Sequence, residues 1–203
     1  MQRYDARTAL VIVDLQNDFA DAAGALAVHG GANLVPIINA EAIMARDAAA
    51  TIVFSQDWHP TETPHFATSG GAWPVHCVAG TWGAELHPDV DPAAAAEAIR
   101  IRKGVNGEDG YSAFSVRDPA SAATTPTELE ALLRGAAIER VVVCGLATDH
   151  CVKATAIDAA RLGFQTVVLL DAIRPVELVP GDEQRALAAM ARAGVHAWST
   201  RMR

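Results

Sequence analysis

The chain has 203 residues, 16 of them basic and 24 acidic, for a formal net charge of −8. Apolar residues make up 51% and charged residues 20%, which suits a folded core and excludes disorder for the bulk of the chain. No basic run appears, and the acidic balance argues against nucleic-acid binding, because phosphate contacts need clustered Lys and Arg. The length suits a single domain spanning residues 1–203. Three cysteines, Cys77, Cys144 and Cys151, cannot all pair within one chain. An odd, low count predicts free thiols in a reducing compartment. Residues 1–7 lack the apolar core of a signal peptide, and the run Ala9 to Val13 is too short to span a bilayer. A cytoplasmic protein without a membrane partner is expected, with monomer and homo-oligomer both open.

Thr8 to Val13 is a run of strand formers with no polar alternation, as in a strand buried on both faces. Asn33 is placed to cap a helix carrying Leu34, Ile37, Ile38 and Met44. Thr51 to Ser55 reads as the second strand and Ile99 to Arg102 as the third. Thr125-Pro126-Thr127-Glu128 has capping-box spacing with Pro at the first helical position, opening a helix through Leu129, Leu132 and Leu133. Strand Arg140 to Cys144, a helix from about Asp149 to Leu162, and strand Gln165 to Leu170 follow. Asp182 starts a last helix through Leu187 and Met190, and Val195 to Trp198 closes as a strand. This alternation predicts an α/β fold, a doubly wound and mostly parallel sheet with helices on both faces. Residues 56–92 break the pattern. They are rich in Pro, Gly, His and Trp (Trp58, Trp73 and Trp82) and read as an ordered, site-building excursion.

Open α/β sheets bind ligands at the carboxyl ends of their strands. A chemically suggestive residue follows each of the first four predicted strands in the main alternation. These are Asp14, then Asp57 with His59, then Lys103, then Cys151. Asp14 alone reads as a cap or as a general base tuned by partial burial. Asp18 reads as a residue that orders its turn. Cys151 lies where a strand passes into a helix, and a helix N-terminus favours thiolate over thiol. Cys144, inside a strand, reads as a core thiol, and Cys77 as structural. Lys103 in the same crevice would offset Asp14. In extended backbone Asp57 and His59 share a face, and His65 and His76 follow in the same loop. Asp with several imidazoles suits zinc, iron or manganese. His29, His87, His150 and His196 read as ordinary histidines. His150 is adjacent to Cys151 on one helix and so does not face it as a base.

These residues resemble a known family. Val11-Ile12-Val13-Asp14-Leu15-Gln16-Asn17-Asp18-Phe19 is similar to the opening motif of the isochorismatase-like cysteine hydrolases. Asp57-Trp58-His59-Pro60, Trp73-Pro74-Val75-His76-Cys77 with Gly80-Thr81, and Gly145 to Val152 resemble its nicotinamidase/pyrazinamidase branch. The resemblance runs from about Thr8 to Asp171. It implies deamidation of nicotinamide, and of pyrazinamide as well, by a metal-dependent enzyme of NAD salvage. It implies a triad of Cys151 as nucleophile, Asp14 as base and Lys103 as electrostatic partner. One divalent metal, zinc foremost with iron and manganese as alternatives, would be held by Asp57, His59 and His76. His65 is similar to a fourth ligand found in only some members. The turn at Leu146-Ala147 resembles the family's cis peptide, which would aim the Ala147 and Cys151 N–H groups at one oxyanion. Phe19 and Trp73 resemble aromatic walls around a flat ring, with Tyr111 lining the same pocket.

Three other readings remain open on the sequence. A metal-free relative could cleave another small amide or ureido substrate with the same triad, although the Asp-x-His pair and His76 speak against it. An isochorismate-type ether hydrolase is not expected to keep a thiol at position 151. A non-catalytic metal-binding or redox-sensing module would not need Asp14, Lys103 and Cys151 together.

Overall fold

A computed structural model describes residues 3–201. The chain forms β1 (Thr8–Val13), α1 (Asn17–Ala20), α2 (Val35–Asp47), β2 (Thr51–Asp57), α3 (Pro92–Glu97), β3 (Ile99–Lys103), β4 (Ser115–Arg117) and β5 (Thr124–Pro126). It continues through α4 (Leu129–Gly135), β6 (Arg140–Leu146), α5 (Lys153–Arg161), β7 (Gln165–Arg174), α6 (Asp182–Arg192) and β8 (His196–Trp198). Six strands pair in the order β3-β2-β1-β6-β7-β8, every pairing parallel. Strands β4 and β5 form a separate antiparallel pair.

Side-chain alternation divides the core into two layers. Leu10, Ile12 and Phe54 pack with Leu34, Val35, Ile38 and Ala42 beneath α2. Ala9, Val11, Val13 and Val53 pack on the other face with Leu129, Leu133, Val152, Ala156 and Met190. Both faces of β1 are therefore covered, and all its residues are buried, as its unbroken apolar run predicts. Full burial of Leu10, Val11, Ile12 and Val13 contributes about 1.5–3 kcal/mol each. From β1 the chain winds outward through β2 and β3 with α2 and α3 in the first layer. From β6 it winds the opposite way through β7 and β8 with α5 and α6 in the second. The switch falls between β1 and β6, which are hydrogen-bonded neighbours. That is where open α/β sheets gather ligands.

Two local expectations are corrected. Asn33 does not cap α2. Ala32–Leu34 forms a 3-10 turn, and α2 starts without a side-chain cap. Thr125 and Pro126 open no helix but belong to β5, Pro126 pairing with Ser115. Pairing with β4 overrides the local capping pattern. The Leu129 N–H is instead met by Thr127 Oγ1 at 3.3 Å. Several strands also run further than the apolar pattern suggests. The polar ends of β2 and β3, which reach Asp57 and Lys103, build the site.

Candidate active site

Four adjacent strands, β3, β2, β1 and β6, bring the strand-end residues to one edge. On β3 the alternation turns Ile101 and Lys103 inward and leaves Arg100 and Arg102 exposed. Lys103 is only 1% exposed and Asp14 0%. Lys103 Nζ lies 2.8 Å from Asp14 Oδ2 and 2.8 Å from Asp57 Oδ1. It also donates to Cys151 Sγ at 3.6 Å and to the Tyr111 carbonyl at 3.3 Å. The buried Cys151 thiol is hydrogen-bonded to Asp14. Asp14 adopts a left-handed φ of 47°, a conformation Asp tolerates better than most residues. Its N–H donates to the Ser55 carbonyl at 3.1 Å, and the Ser55 hydroxyl donates to Asp14 Oδ1 at 2.7 Å. Gly145 lets β6 close on this strand end. A Cβ there would stand 2.1 Å from the Val13 carbonyl oxygen, and its φ of 108° favours glycine.

Burial sets the electrostatics. It pushes the Asp14 carboxyl above its ordinary range, against the attraction of Lys103. It also pushes the Cys151 thiol well up, again against Lys103. At this thiol desolvation acts against the thiolate that a helix N-terminus favours, and it outweighs the pull of Lys103. Burial pulls Lys103 down, yet Asp14 and Asp57 outweigh it and hold the ammonium well above its usual value. Burial also raises Asp57, but Lys103 and the neighbouring His59 and His76 rings carry it well below the carboxylate range.

Cys151 sits in a π turn, Thr148–Val152, that precedes α5. The regular helix therefore begins later than Asp149. The Leu146-Ala147 peptide is cis, the geometry the sequence resemblance implies. Ala147 and Cys151 both line the pocket.

The histidines come from the 56–92 excursion. Within it lie two 3-10 turns, Ala67–Ser69 and Trp82–Ala84, with isolated bridges such as His59 to Val78. His59, His65 and His76 are buried, each with a ring nitrogen within 4.8 Å of the others. Asp57 Oδ2 lies 3.8 Å from His59 Nε2 and 3.8 Å from His76 Nε2. The outer nitrogens of two rings are engaged. His76 Nδ1 meets the Pro74 carbonyl at 2.7 Å, and His65 Nδ1 meets Asp109 Oδ1 at 3.0 Å. Both ring nitrogens of His59 are buried without a hydrogen-bond partner. Buried polar atoms left so are costly, and a cation held beside Asp57 would satisfy Nε2. This donor set fits a divalent ion, with zinc, iron and manganese all suited. Asp18 anchors the excursion, as its reading as a turn-ordering residue predicts. Its carboxylate accepts the Cys77 N–H at 2.6 Å and the Ala25 N–H at 3.0 Å.

The pocket holds about 420 Å³ of empty space, part of it open to solvent. Asp14, Phe19, Asp57, His65, Trp73, His76, Tyr111, Ala147 and Cys151 line it, as do Leu26, Leu146, His150 and Val176. Phe19 packs on His76 with ring centroids 5.6 Å apart. Trp73 Nε1 donates to the Tyr111 hydroxyl at 3.0 Å. His150 packs edge-on to Trp73 and Tyr111, at 5.1 and 5.5 Å. It is a wall of the pocket and so not an ordinary histidine, which corrects its sequence reading. Lys103 and His59 stand behind this lining, Lys103 in contact with Asp14, Asp57 and Cys151. Sequence reasoning missed Ser55, Leu26 and Val176. Ser55 had a signal, since it shares the face of Val53 and Asp57 along β2 and is a polar residue on a buried strand. Leu26 and Val176 lie on loops that carry no such pattern.

An open parallel sheet with its reactive side chains gathered at the switch point defines an enzyme of the doubly wound α/β class, and comparison with known proteins gives the family. The Isochorismatase domain matches residues 8–202, and the chain belongs to this family. It is 38% identical to the nicotinamidase of Escherichia coli K12 over 202 residues, covering 92% of each chain. Among solved structures, pyrazinamidase of Pyrococcus horikoshii in complex with zinc superposes with a TM-score of 0.82 at 36% identity, covering 95% of this chain and 99% of that one. PnC1 of L. infantum in complex with nicotinate superposes with a TM-score of 0.87 at 36% identity, covering 97% and 95%. Among the described residues, no helix is long and apolar enough to cross a membrane.

Proposed function

We propose that this chain is a metal-dependent cysteine amidohydrolase that converts nicotinamide to nicotinate and ammonia, and acts likewise on pyrazinamide. One observation carries the reading. Behind a single aromatic-walled pocket, Lys103 joins the Asp14–Cys151 pair to Asp57, which stands beside the three buried histidines. The likeness to the nicotinamidase, the zinc-bound pyrazinamidase and the nicotinate-bound structure supports the same substrate class. Reducing conditions in the cytoplasm suit a free nucleophilic thiol, and the three cysteines are unpaired.

In this mechanism Asp14 takes the Cys151 proton as the sulfur attacks the amide carbonyl carbon. Lys103, held between Asp14 and the thiol, steadies the negative charge that passes between them. The N–H groups of Ala147 and Cys151 are the donors assigned to the developing oxyanion. Asp14 then delivers its proton to the amide nitrogen, the C–N bond breaks and ammonia leaves a thioester. Asp14 next takes a proton from water as its oxygen attacks the thioester. The C–S bond breaks, nicotinate forms, and the sulfur recovers the proton from Asp14. Phe19, Trp73 and Tyr111 sandwich and orient the ring, a form of positioning that lowers barriers. Asp57, His59, His76 and His65 would hold the divalent ion, which would supply Lewis-acid chemistry for anchoring the ring.

The test is ammonia release from nicotinamide by purified protein, before and after chelation and after readdition of zinc. Release that falls on chelation and returns with zinc supports the assignment. No release in any metal state overturns it, and release indifferent to chelation moves the chain to the metal-free amidases.

A further inference from the structure

We propose that Asp109 is a positioning residue for the metal centre, and that its carboxylate fixes His65 as the fourth protein ligand. The inference rests on the metal-centre reading above. His65 Nδ1 lies 3.0 Å from Asp109 Oδ1. A carboxylate only accepts, so Nδ1 carries the proton and the ring's lone pair is left on Nε2. The carboxylate is itself clamped. Its Oδ1 accepts the Gly110 N–H at 2.8 Å, and its Oδ2 takes the Arg117 guanidinium at 2.6 Å. Asp109 and Arg117 also exchange both backbone hydrogen bonds. A second tie joins the same two loops, from Thr63 Oγ1 to the Gly107 carbonyl at 3.1 Å.

His65 and His76 therefore differ in what orients them. His76 is held by Pro74, two residues away on its own loop. His65 is held across 44 residues of sequence by the segment that links Lys103 to Tyr111. That segment also backs His59. A Cβ at Gly104, whose φ is 75°, would stand 2.4 Å from His59 Nδ1. Carboxylates that receive the outer N–H of a ligating histidine fix its tautomer and ring plane and raise its basicity. Losing one weakens metal affinity by about 10–100-fold.

The experiment measures zinc affinity by chelator competition on the full chain, in wild type, Asp109→Ala, Asp109→Asn, His65→Ala and the Asp109 variants combined with His65→Ala. Asp109→Ala is expected to weaken zinc binding by about 10–100-fold, and to change nothing further once His65 is alanine. Asp109→Asn keeps an accepting oxygen without the charge, so a smaller loss is expected, again absent with His65→Ala. This variant carries the test if Asp109→Ala does not fold. Unchanged affinity in both single variants overturns the proposal. So does an equal loss in the His65→Ala background, which would make Asp109 a tether of the fold alone. A wild type that binds no zinc would sink the metal-centre reading itself, whereas tight zinc binding with indifferent Asp109 variants sinks only this inference.

Discussion

Asp14, Lys103 and Cys151 come to the site from strand ends or the turn beside one, whereas His59, His65 and His76 come to it from the 56–92 excursion. The first group is placed by register. Val13 pairs with both Ser55 and Gly145, and Asp57 pairs with Lys103. A slip of one residue in β3 would swing Lys103 to the outer face and turn Arg102 inward in its place. The second group is placed bond by bond, through the Pro74 carbonyl, the Asp109 carboxylate and the anchor at Asp18. Chemistry that must not shift is thus carried by the sheet. Side chains that would gather around an ion are carried by loop, where that ion contributes order of its own.

The sharpest way to break this division is to remove the thiol. Cys151→Ala is expected to lower ammonia release by on the order of 10⁴-fold or more, with zinc content unchanged by mass spectrometry. Normal turnover would end the nucleophile assignment. Loss of zinc with the thiol would show that the two groups are not independent.

Lys103 pairs with both Asp14 and Asp57 and so joins the two groups, and its removal measures the coupling. Lys103→Met leaves Asp14 and Asp57 buried without their shared cation. Breaking such a buried pair costs about 3–5 kcal/mol, to be read from urea unfolding of the metal-free protein. With saturating zinc the loss should be smaller, because Asp57 then faces a second cation. An equal loss in both states would remove Asp57 from the metal site.

Much of the strand-borne half was legible in the sequence, because apolar runs mark strands and the reactive types stand at their ends. Asp14, Asp57, Lys103 and Cys151 fell on one edge for that reason. The histidines were visible as a metal-competent cluster with Asp57, but which of them serve as ligands came from a family resemblance, since a loop has no period from which direction can be read. Asn33 and Thr125 misled, because a 3-10 turn and a β4–β5 pairing replaced the caps their spacing offered. Asp109 was hidden because its partner lies far away in sequence, and the π turn at Cys151 because no local propensity separates it from ordinary helix.

Ser55 gives the smallest and finest test, since it touches the base and nothing else in the proposed chemistry. Its hydroxyl donates to Asp14 Oδ1 and so favours the charged carboxylate. Asp14 already titrates above the ordinary carboxylate range, chiefly through burial. Its charged form is the base, so kcat/KM falls as pH drops through that raised value. Without the Ser55 donor the value rises again, and the loss begins at higher pH. Ser55→Ala is therefore expected to cost roughly tenfold or less in kcat at neutral pH, about 1.4 kcal/mol or less, with the acid limb of kcat/KM displaced upward and KM little changed. A lower rate with the acid limb unmoved would mean that Ser55 only shapes the strand, and that the Asp14 base is tuned by burial and Lys103 alone.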